Sequence, residues 1–481
     1  MTITFRNTLA QVVSSWQIPT LSYALIQNGE IVEVDYIDTT GRGTGCQLFQ
    51  LGSLSKAFAC TALNALADRS DYSLDTPNIH YLPQFRLSEP LLTAESTVVD
   101  LVAHRTGIGK FSASLMSYLG YSKFAILRAF ELFPAARPFR TSFQYNDGLY
   151  LYVDSLIEAI TGQTYWAFLE QNVLTPAGLK RVRSCLTDCH VDEVLATPHM
   201  LHADSLQAIR RSPMVTSLGA GCDLCADAED LARWVLFNLN LINDQSRSSH
   251  WREALFAAQT PLSPGPVGCC LDPYMQPASY AMGWYIVPTP AGLAYEHLGG
   301  VPGYSSYISL LPAKGAGIVL LANRGELRFA LEWLRLHYYD LSLGFGCGDL
   351  TATLRQQTNA FATSLQLSTA SKQRQRVPFN LRSTKLIGRN PVYGELLFAM
   401  DCEGATATFG FAIQSLRAVY VGNNEFMASD AGANFGSFLK MILFKLSVDE
   451  SRLTLTIYHD TQRGGLSLVG TYLFELHSRI N

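Results

Sequence analysis

The sequence predicts an α+β fold in which strands from both ends of a first domain form one antiparallel sheet flanked by helices. Strand patterns open and close residues 1–345, and helical patterns fill the middle, where we expect an all-helical subdomain. The composition changes after residue 345, and the pattern beyond it becomes strand-like to the end. We therefore expect a first domain over residues 1–345, a linker over 346–376 and a C-terminal all-β domain over 377–481.

The composition is that of a folded chain with a large core. Apolar residues make up 48% of the 481 residues and charged residues 16%, which suits two or three domains and argues against disorder. The net charge is −4 without a long basic run, so we expect no nucleic-acid partner. We find no secretory leader and no apolar run long enough for a membrane span, and we expect a cytoplasmic protein without membrane contact.

The first two strands are predicted to form a hairpin. Residues 21–27 (LSYALIQ) and Glu30–Asp38 (EIVEVDYID) flank Asn28-Gly29, the dipeptide most typical of a two-residue hairpin turn. A polar loop with three glycines then leads to the segment that begins at residue 49.

Apolar stripes at helical spacing fill the middle of the first domain. One covers residues 59–66, a second runs over 149–160, and a third covers 228–242. The second stripe is followed by Gly162, a residue typical of the end of a helix.

Short segments rich in aromatic and β-branched residues return from residue 280. They are YAMGWYIVP, GLAYEHLGG, GYSSYISLLP and GAGIVLLAN, and we predict that they are the strands that close the first domain. Residues 351–378 are polar and rich in Thr, Ser and Gln, which indicates a linker. Further strands are predicted beyond it, with a hairpin around Asp449-Glu450-Ser451.

The cysteines raise the question of a metal site. Cys222 and Cys225 have C-x-x-C spacing, and Cys185 and Cys189 lie upstream. A zinc site would need four converging ligands, and the spacing of the upstream pair is not that of a zinc knuckle. We favour reduced, buried thiols, as expected in a cytosolic protein, and predict no metal and no cofactor.

The segment FQLGSLSKAF places Ser53 and Lys56 at the beginning of the first apolar helix. Residues three apart share one face of a helix, so the hydroxyl and the amine can meet at the helix N-terminus, which favours negative charge. A lysine made neutral by burial could take the serine proton and leave a nucleophile. The Ser-x-x-Lys pattern also occurs by chance in long proteins. We interpret Ser55 as a serine of the first helical turn.

Four segments occur in an order that carries a resemblance. FQLGSLSKAF is followed by TVVDLVAHRTGIG, by FQYNDGLYLYVDSLIEAITGQTYWAFLEQNVLTPAGL and by AYEHLGGVPGYSSYISLLPAKGAGIVLLAN. This order resembles the serine β-lactamase and penicillin-binding-protein superfamily, in its class C, esterase and D-aminopeptidase branch. The C-terminal block resembles the small β domain appended to some members, which implies a lipocalin-like or barrel-like fold there.

The resemblance implies three catalytic side chains. Ser53 matches the acylated nucleophile, Lys56 the lysine of the Ser-x-x-Lys motif, and Tyr145 the tyrosine of the Tyr-x-Asn motif. The phenol of Tyr145 is expected to shuttle a proton between Ser53 and the leaving group, with its pKa lowered by nearby cations.

The resemblance also implies the surroundings of the nucleophile. His297 and Gly299 match the third motif of the superfamily and are expected to bind substrate. The backbone N–H groups of Ser53 and Gly300 are expected to form the oxyanion hole. His104 is expected to make a structural hydrogen bond.

The sequence departs from the superfamily pattern at Asp147, where Asn is usual. A carboxylate only accepts hydrogen bonds, whereas an amide can also donate one to a substrate carbonyl. We expect Asp147 in the substrate-binding site, where an ionised carboxylate would keep Lys56 charged and weaken it as a base. Asp147 could equally cap the helix that begins at Gly148. We hypothesise that the change argues against β-lactam hydrolysis and for a specialised acyl substrate.

These features predict a serine-dependent hydrolase or acyltransferase that acts on an ester or amide of a small metabolite in secondary metabolism, similar to the lovastatin-type side-chain acyltransferases. The alternative is a non-hydrolytic proton-transfer enzyme (a cyclase, isomerase or lyase) that uses Tyr145 and Lys56 as acid and base. We also expect a homo-oligomer. Aromatic residues near the motifs suit a flat substrate or, equally, core packing: Tyr145, Tyr150, Tyr152, Tyr295, Tyr304 and Tyr307.

Overall fold

The computed structural model describes residues 2–68, 71–188, 190–202, 205–211, 217–243, 249–262, 278–345, 385–400, 406–411, 415–422, 425–430, 442–448, 452–461 and 465–480. The predicted linker and the turn at Asp449-Glu450-Ser451 lie outside these residues. Helices and strands are mixed in the described chain, and its paired strands run antiparallel, which agrees with the predicted α+β class.

The helices lie mostly between the opening and the closing strands of the first domain. Helix α1 precedes the predicted hairpin and α13 follows the last strand of the sheet, and the sequence patterns predict neither. Among the described helices, none combines the length and the hydropathy that a bilayer-spanning helix needs. The bounds are α1 Thr2–Ser15, α2 Ser55–Ala67, α3 Asn78–Tyr81, α4 Pro90–Glu95, α5 Val98–Val102, α6 Ser112–Tyr118, α7 Lys123–Ala129, α8 Leu151–Thr161, α9 Tyr165–Leu169, α10 Val191–Val194, α11 Ala228–Asn243, α12 Ser249–Phe256 and α13 Arg328–Leu343.

An eight-stranded antiparallel sheet forms the centre of this part of the chain, in the order β2-β1-β13-β12-β11-β10-β9-β8. Strands β3, β7 and β4 form a smaller sheet, and β5 pairs with β6. The bounds are β1 Thr20–Gln27, β2 Glu30–Asp38, β3 Phe49–Gln50, β4 Arg183–Ser184, β5 His199–His202, β6 Ser205–Ala208, β7 Leu224–Ala226, β8 Thr260–Pro261, β9 Ser279–Tyr280, β10 Tyr285–Thr289, β11 Gly292–Val301, β12 Tyr304–Leu311 and β13 Ala316–Ala322.

The opening hairpin joins the last strand of the sheet, as the sequence predicts. Asn28 and Gly29 have φ values of 51° and 77°, the left-handed conformation that a tight hairpin turn requires. Strand β1 pairs with β13, where Leu21 faces Ala322. The ends of the first domain are therefore neighbours, and the helices between them must pack on the faces of the sheet.

Alternate side chains of β1 enter two apolar cores. Tyr23 packs with α1 and α13 on one face, whereas Ala24 belongs to the core of α2 and α11 on the other. On that second face Phe58 of α2 stacks on Trp234 of α11, with ring centroids 4.0 Å apart. Helix α2, which begins two residues after Ser53, is thereby fixed in the interior.

Buried charges join α13 to the sheet. Arg335 lies 3.4 Å from Glu296 of β11, and both side chains are 2% exposed. One turn earlier, Glu332 pairs with Arg328 at 3.2 Å. Burial raises the pKa of Glu332, and the two arginines oppose that effect only in part.

The described strands beyond residue 384 close into a β-barrel, with β14 paired to both β15 and β21. Tyr121 of the first domain donates its hydroxyl to the carbonyl of Tyr393, between β14 and β15. The domain bounds and a likeness to lipocalins stay predictions. The strand bounds are β14 Lys385–Asn390, β15 Gly394–Met400, β16 Thr406–Phe411, β17 Ser415–Gly422, β18 Glu425–Asp430, β19 Ile442–Val448, β20 Arg452–Thr461 and β21 Gly465–Ile480.

We predict that Arg335→Met destabilises the first domain by about 3–5 kcal/mol, because it removes the cation that pairs with buried Glu296 and one of the two arginines near buried Glu332. Arg128→Met is the matched control, since the Arg128–Glu131 pair is 69% and 45% exposed and should contribute less than about 1 kcal/mol. Urea unfolding followed by tryptophan fluorescence measures both. Equal midpoints for the two variants would contradict the role given to Arg335.

Candidate active site

Ser53 lies on a tight turn that is held from two sides. The N–H of Leu51 donates to the carbonyl of Leu224 at 2.9 Å, which extends the pairing of β3 with β7. Ser306 of β12 donates its hydroxyl to the Leu51 carbonyl at 2.8 Å. The turn is a short 3-10 helix in which Gly52 has a φ of 53°, a conformation that favours glycine. The sequence analysis places Ser53 at the beginning of the first apolar helix, whereas in the structure Ser53 lies in the 3-10 turn, two residues before α2 begins.

Two donors converge on the hydroxyl oxygen of Ser53, one from the next helical turn and one from a distant part of the chain. The ammonium of Lys56 lies 3.0 Å from Oγ, and the phenol of Tyr145 donates to the same atom at 2.8 Å. Ser53 and Tyr145 are partly exposed, whereas Lys56 is 0% exposed. The structure therefore brings together the three side chains that the resemblance names, with the serine on the accessible side.

Lys56 is held as a buried cation. It donates to Asp147 Oδ1 at 2.6 Å and to the carbonyl of Gly221 at 2.9 Å, in addition to Ser53. Burial by itself would lower the pKa of Lys56, but the adjacent Asp147 carboxylate outweighs burial, and the pKa is raised above the usual lysine value. The expectation of a lysine made neutral by burial is wrong here, and the expectation that Asp147 keeps it charged is confirmed.

Asp147 faces the protein interior. Its Oδ1 accepts from Lys56, and its Oδ2 accepts from the hydroxyl of Ser114 on α6 at 2.6 Å. The side chain is 6% exposed and both oxygens already accept from buried donors, so these contacts do not support the expectation that Asp147 binds substrate, which stays a prediction. The capping alternative is wrong, because Asp147 is the first residue of a 3-10 turn without a side-chain cap.

His104 positions the segment that carries Tyr145. Its Nδ1 accepts from the backbone N–H of Asn146 at 3.2 Å, and its carbonyl accepts from the N–H of Gln144 at 2.7 Å. The rings of His104 and Tyr145 lie 4.4 Å apart. The structural hydrogen bond that the resemblance implies for His104 is confirmed, and it acts on the two neighbours of Tyr145.

The phenol of Tyr145 is a neutral donor in this site. Burial raises its pKa well above the usual tyrosine value, and the Asp147 carboxylate raises it further. The expectation that nearby cations lower this pKa is wrong, because burial and then the Asp147 carboxylate act in the opposite direction.

The backbone of β11 adjoins the turn of Ser53. A Cβ on Gly52 would lie 3.0 Å from the backbone nitrogen of Gly300, and a Cβ on Gly299 would lie 1.9 Å from the carbonyl oxygen of Leu51. Gly299 is buried against this turn, whereas Gly300 is exposed beside Ser53. The oxyanion hole of Ser53 and Gly300 stays a prediction, and so does the substrate contact of Gly299. Because Gly52 and Gly299 have no side chains, β11 and the Ser53 turn can approach as closely as this oxyanion hole requires.

His297 has protein partners on both ring nitrogens. Nδ1 lies 2.6 Å from the carbonyl of Leu298, so it carries the proton, and Nε2 then accepts from the hydroxyl of Tyr280 at 3.0 Å. Burial, and then Lys56, lower the pKa of His297 to about 3. The ring is 2% exposed and neutral, which gives it a role in ordering Tyr280. The substrate contact of His297 stays a prediction. It receives no support from the geometry, because both ring nitrogens already have protein partners.

Four further residues surround Ser53, and two of them, Ser114 and Gly221, carry no motif and are identified from the structure alone. Ser114 and the Gly221 carbonyl complete the surroundings of Asp147 and Lys56. The thiol of Cys222, whose pKa burial raises to about 12, lies within hydrogen-bonding reach of the Ser53 side chain. Ser55 accepts from the N–H of Leu224 at 3.1 Å and is 0% exposed, which agrees with its interpretation as a structural serine.

Most of the aromatic residues near the motifs belong to the core. Tyr150, Tyr152 and Tyr304 are buried, and each donates its hydroxyl to a backbone carbonyl. They do not support the interpretation of an aromatic wall for a flat substrate, and they favour the alternative of core packing.

The described cysteines are free thiols: Cys46, Cys60, Cys185, Cys222 and Cys225. Within the described ranges, no three His, Cys, Asp or Glu side chains come together as a metal site would require. Cys189 lies outside those ranges.

A family model described as Beta-lactamase matches residues 5–338. Curated relatives match over a similar range. Unguisins hydrolase ungD of Aspergillus violaceofuscus is 24% identical over 66% of this chain and 60% of its own length. Unguisins hydrolase ungD' of Aspergillus campestris is 26% identical over 66% and 61%. Penicillin-binding protein 4 of Amycolatopsis lactamdurans is 25% identical over 64% and 81%. This chain therefore spans about 60% of the length of the two fungal hydrolases.

Solved structures share the fold at low sequence identity. The octameric penicillin-binding protein homologue from Pyrococcus abyssi aligns over 98% of this chain and 99% of that chain, with a TM-score of 0.63 and 16% identity. The D-amino acid amidase from Ochrobactrum anthropi SV3 aligns over 71% and 99%, with a TM-score of 0.59 and 18% identity. A D-stereospecific amidohydrolase from Streptomyces aligns over 66% and 93%, with a TM-score of 0.52 and 17% identity.

We predict that Gly299→Ala destabilises the first domain by about 1–3 kcal/mol, because the added methyl group would overlap the Leu51 carbonyl oxygen and Ser306 Oγ. Gly300→Ala is the matched control, since a Cβ there meets nothing within 4 Å. Thermal unfolding followed by circular dichroism compares both variants with the wild type. A Gly299→Ala protein as stable as Gly300→Ala would contradict the close packing of β11 against the Ser53 turn.

Proposed function

Because the chain belongs to the Beta-lactamase family, we propose that it is a serine hydrolase or acyltransferase that forms an acyl-enzyme on Ser53 from an ester or amide of a small metabolite. The observation that carries the proposal is the convergence of Lys56 and Tyr145 on the accessible hydroxyl of Ser53, at 3.0 Å and 2.8 Å. A hydroxyl fixed in this way is preorganised for attack on a bound carbonyl group.

In the proposed first step, Ser53 Oγ attacks the carbonyl carbon of the substrate. The negative charge that develops on the carbonyl oxygen is stabilised by the backbone N–H groups of Ser53 and Gly300, a role supported by the exposure of Gly300 beside the Ser53 turn. As the intermediate collapses, the bond to the leaving group breaks, and the proton of Ser53 reaches that group through the phenol of Tyr145, which lies 2.8 Å from Ser53 Oγ. Water then releases the acyl group in a hydrolase, whereas an alcohol or amine does so in an acyltransferase.

We propose an ester or amide of a D-configured amino acid as the substrate class. Two proteins of the same fold are a D-amino acid amidase and a D-stereospecific amidohydrolase, and a relative that is 27% identical over 124 residues is a teichoic acid D-alanine hydrolase of Staphylococcus aureus. The names of the two unguisins hydrolases support hydrolysis over transfer. The carboxylate at residue 147 offers no amide donor to a substrate carbonyl, which argues against β-lactam hydrolysis.

We also propose a metabolic role, a cellular location and an assembly state for the protein. A role in secondary metabolism and a cytoplasmic location follow from the sequence-based expectations. Assembly into a homo-oligomer is supported by the octameric neighbour, which aligns over 98% of this chain, the C-terminal strands included. We propose that the β domain over residues 377–481 contributes to that assembly or to the mouth of the active site.

The alternative of a non-hydrolytic proton-transfer enzyme receives less support from the geometry. An enzyme of that kind would direct Lys56 and Tyr145 at a substrate atom, whereas both side chains are hydrogen-bonded to Ser53. The two functions differ in whether activity needs the hydroxyl of Ser53.

We predict that a fluorophosphonate probe adds one phosphonyl group to the wild-type protein, and that Ser53→Ala abolishes the gain in mass. Ser55→Ala is the control, since Ser55 is buried against Leu224 and should not be labelled. Intact-protein mass spectrometry measures the adduct. Turnover that survives Ser53→Ala and is lost in Tyr145→Phe would instead favour the proton-transfer enzyme.

We predict that the protein hydrolyses p-nitroanilides of D-amino acids with a kcat/KM at least about tenfold higher than that for the L-enantiomers, because a shaped site distinguishes enantiomers by more than about 1.4 kcal/mol. Absorbance of released nitroaniline measures both rates for D- and L-phenylalanine and for D- and L-alanine. A preference for the L-substrates would contradict the proposed substrate class and leave the acyl-enzyme proposal standing.

A further inference from the structure

A cavity separate from the active site lies beside the C-terminal end of α2. Its volume is about 370 Å³, which is enough for a small organic ligand. The lining comes from Ala67 at the end of α2, from the loop that follows it, from α5, from Ala254 of α12 and from the segments next to β8 and β9. Ser53, Lys56 and Tyr145 take no part in it. A ligand bound in this cavity would therefore not contact the reacting atoms.

Buried apolar side chains form one part of the lining. Tyr72, Leu74, Val99 and Met282 all line the cavity, and all four are buried. An apolar group of a ligand is stabilised when such a surface removes it from water, whereas an inorganic ion gains nothing from it. This part of the cavity therefore suits an organic ligand with an apolar side chain.

Charged side chains of both signs form another part of the lining. Arg105, Asp75 and Glu253 line the same cavity, yet Arg105 forms no ion pair with either carboxylate. In the part of the chain that the structure describes, neither carboxylate has an ion-pair partner. Opposite charges that face one cavity without pairing with each other are complementary to a small ligand that carries both signs.

Arg105 belongs to a cluster with more positive than negative charge. Its Nε donates to Asp100 at 2.6 Å, but Arg140 donates to both oxygens of the same carboxylate, at 2.9 Å and 2.7 Å. Two guanidinium groups therefore share one buried negative charge. Nη1 of Arg105 donates to the backbone and side-chain oxygens of Gln259, whereas Nη2 has no acceptor among the described residues. Arg105 thus keeps N–H donors for an anionic group of a ligand.

We propose that this cavity binds a free α-amino acid with an apolar side chain. The carboxylate of the ligand pairs with Arg105, and its ammonium group pairs with Asp75 and Glu253. Its side chain packs on the buried surface around Met282. No covalent bond forms or breaks. The inference goes beyond the proposed function and does not depend on Ser53, although the acid product of an amino acid amide or ester belongs to the same class of ligand.

The test is isothermal titration calorimetry with D- and L-phenylalanine at about pH 7.5, where the ligand is a zwitterion. At least one enantiomer should bind saturably, with a Kd below about 10 mM. Phenethylamine lacks the carboxylate and 3-phenylpropanoate lacks the ammonium group, so each should bind at least about tenfold more weakly than that enantiomer. Absence of saturable binding for both enantiomers, or an analogue that binds as tightly, overturns the proposal.

The contribution of the two carboxylates is tested with a double variant, Asp75→Asn with Glu253→Gln. Its affinity for phenylalanine should fall at least about tenfold. Glu158→Gln with Glu170→Gln is the matched control, because it removes the same charge from two exposed residues outside the cavity, and its affinity should stay within about twofold of the wild type. Equal affinities in the two double variants would contradict the proposed site.

A steric variant tests the cavity itself. Ala254→Phe places a large side chain in the lining and should abolish the binding of phenylalanine. Ala257→Phe is the matched control, because Ala257 is exposed, follows the end of α12 and does not line the cavity. Circular dichroism verifies that both variants fold. Binding that survives Ala254→Phe would place the ligand elsewhere and overturn the proposal.

Binding of phenylalanine in the active site is distinguished by blocking Ser53. Protein labelled there by the fluorophosphonate probe should bind phenylalanine with an unchanged Kd. Loss of binding after labelling places the ligand in the active site and overturns the cavity proposal, while the acyl-enzyme proposal stands. If Ser53 is not labelled at all, the proposed function fails, and the variants of Asp75, Glu253 and Ala254 still decide whether the cavity binds an amino acid.

Discussion

The buried charge of Lys56 is the constraint on which the rest of the site depends. An ammonium with no exposed surface is tolerated only when it is paired and its hydrogens are accepted. Its partners come from three separate turns, which carry Ser53, Asp147 and Gly221, and each lies within 3.0 Å of Nζ. Satisfying one cation therefore brings three distant segments together. The accessible serine is positioned as a consequence, because it is one of the three acceptors.

Each of these turns is fixed by a buried residue that does not touch Ser53. Ser114 holds the carboxylate of Asp147, His104 binds the backbone beside Tyr145, and Asp154 accepts from Ala220 next to Gly221. Strand β7 anchors the Ser53 turn through the Leu224 carbonyl. The position of the hydroxyl is thus determined by contacts spread over the helical layer and the edge of the sheet. A change in any of these supports should alter the reactivity of Ser53 through geometry, without removing a reacting group.

The sequence predicts the parts of this structure that are set by local rules. The Asn28-Gly29 hairpin, the helix that ends at Gly162 and the closing strands follow from turn chemistry and apolar spacing, and the ordered motifs identify Ser53, Lys56 and Tyr145. Helices α1 and α13 are missed because their stability comes from packing against each other and the sheet. Ser114 lies in no motif, and the directions of Asp147 and Tyr150 are set by tertiary neighbours. The raised pKa of Tyr145 depends on burial and on Asp147, which spacing along the chain does not reveal.

Asp147 and the asparagine usual in the superfamily represent two solutions to the same burial problem. A lysine beside asparagine has no counter-charge, so burial favours its neutral form, and the amine itself becomes the base. A lysine beside a carboxylate keeps its proton, in line with the raised pKa of Lys56. The second arrangement holds the lysine as a cation beside the serine. It also leaves no amide to bind substrate, so substrate recognition has to come from other parts of the site. The single change from amide to acid thus alters both the charge of the buried lysine and the hydrogen-bonding groups that the site can offer.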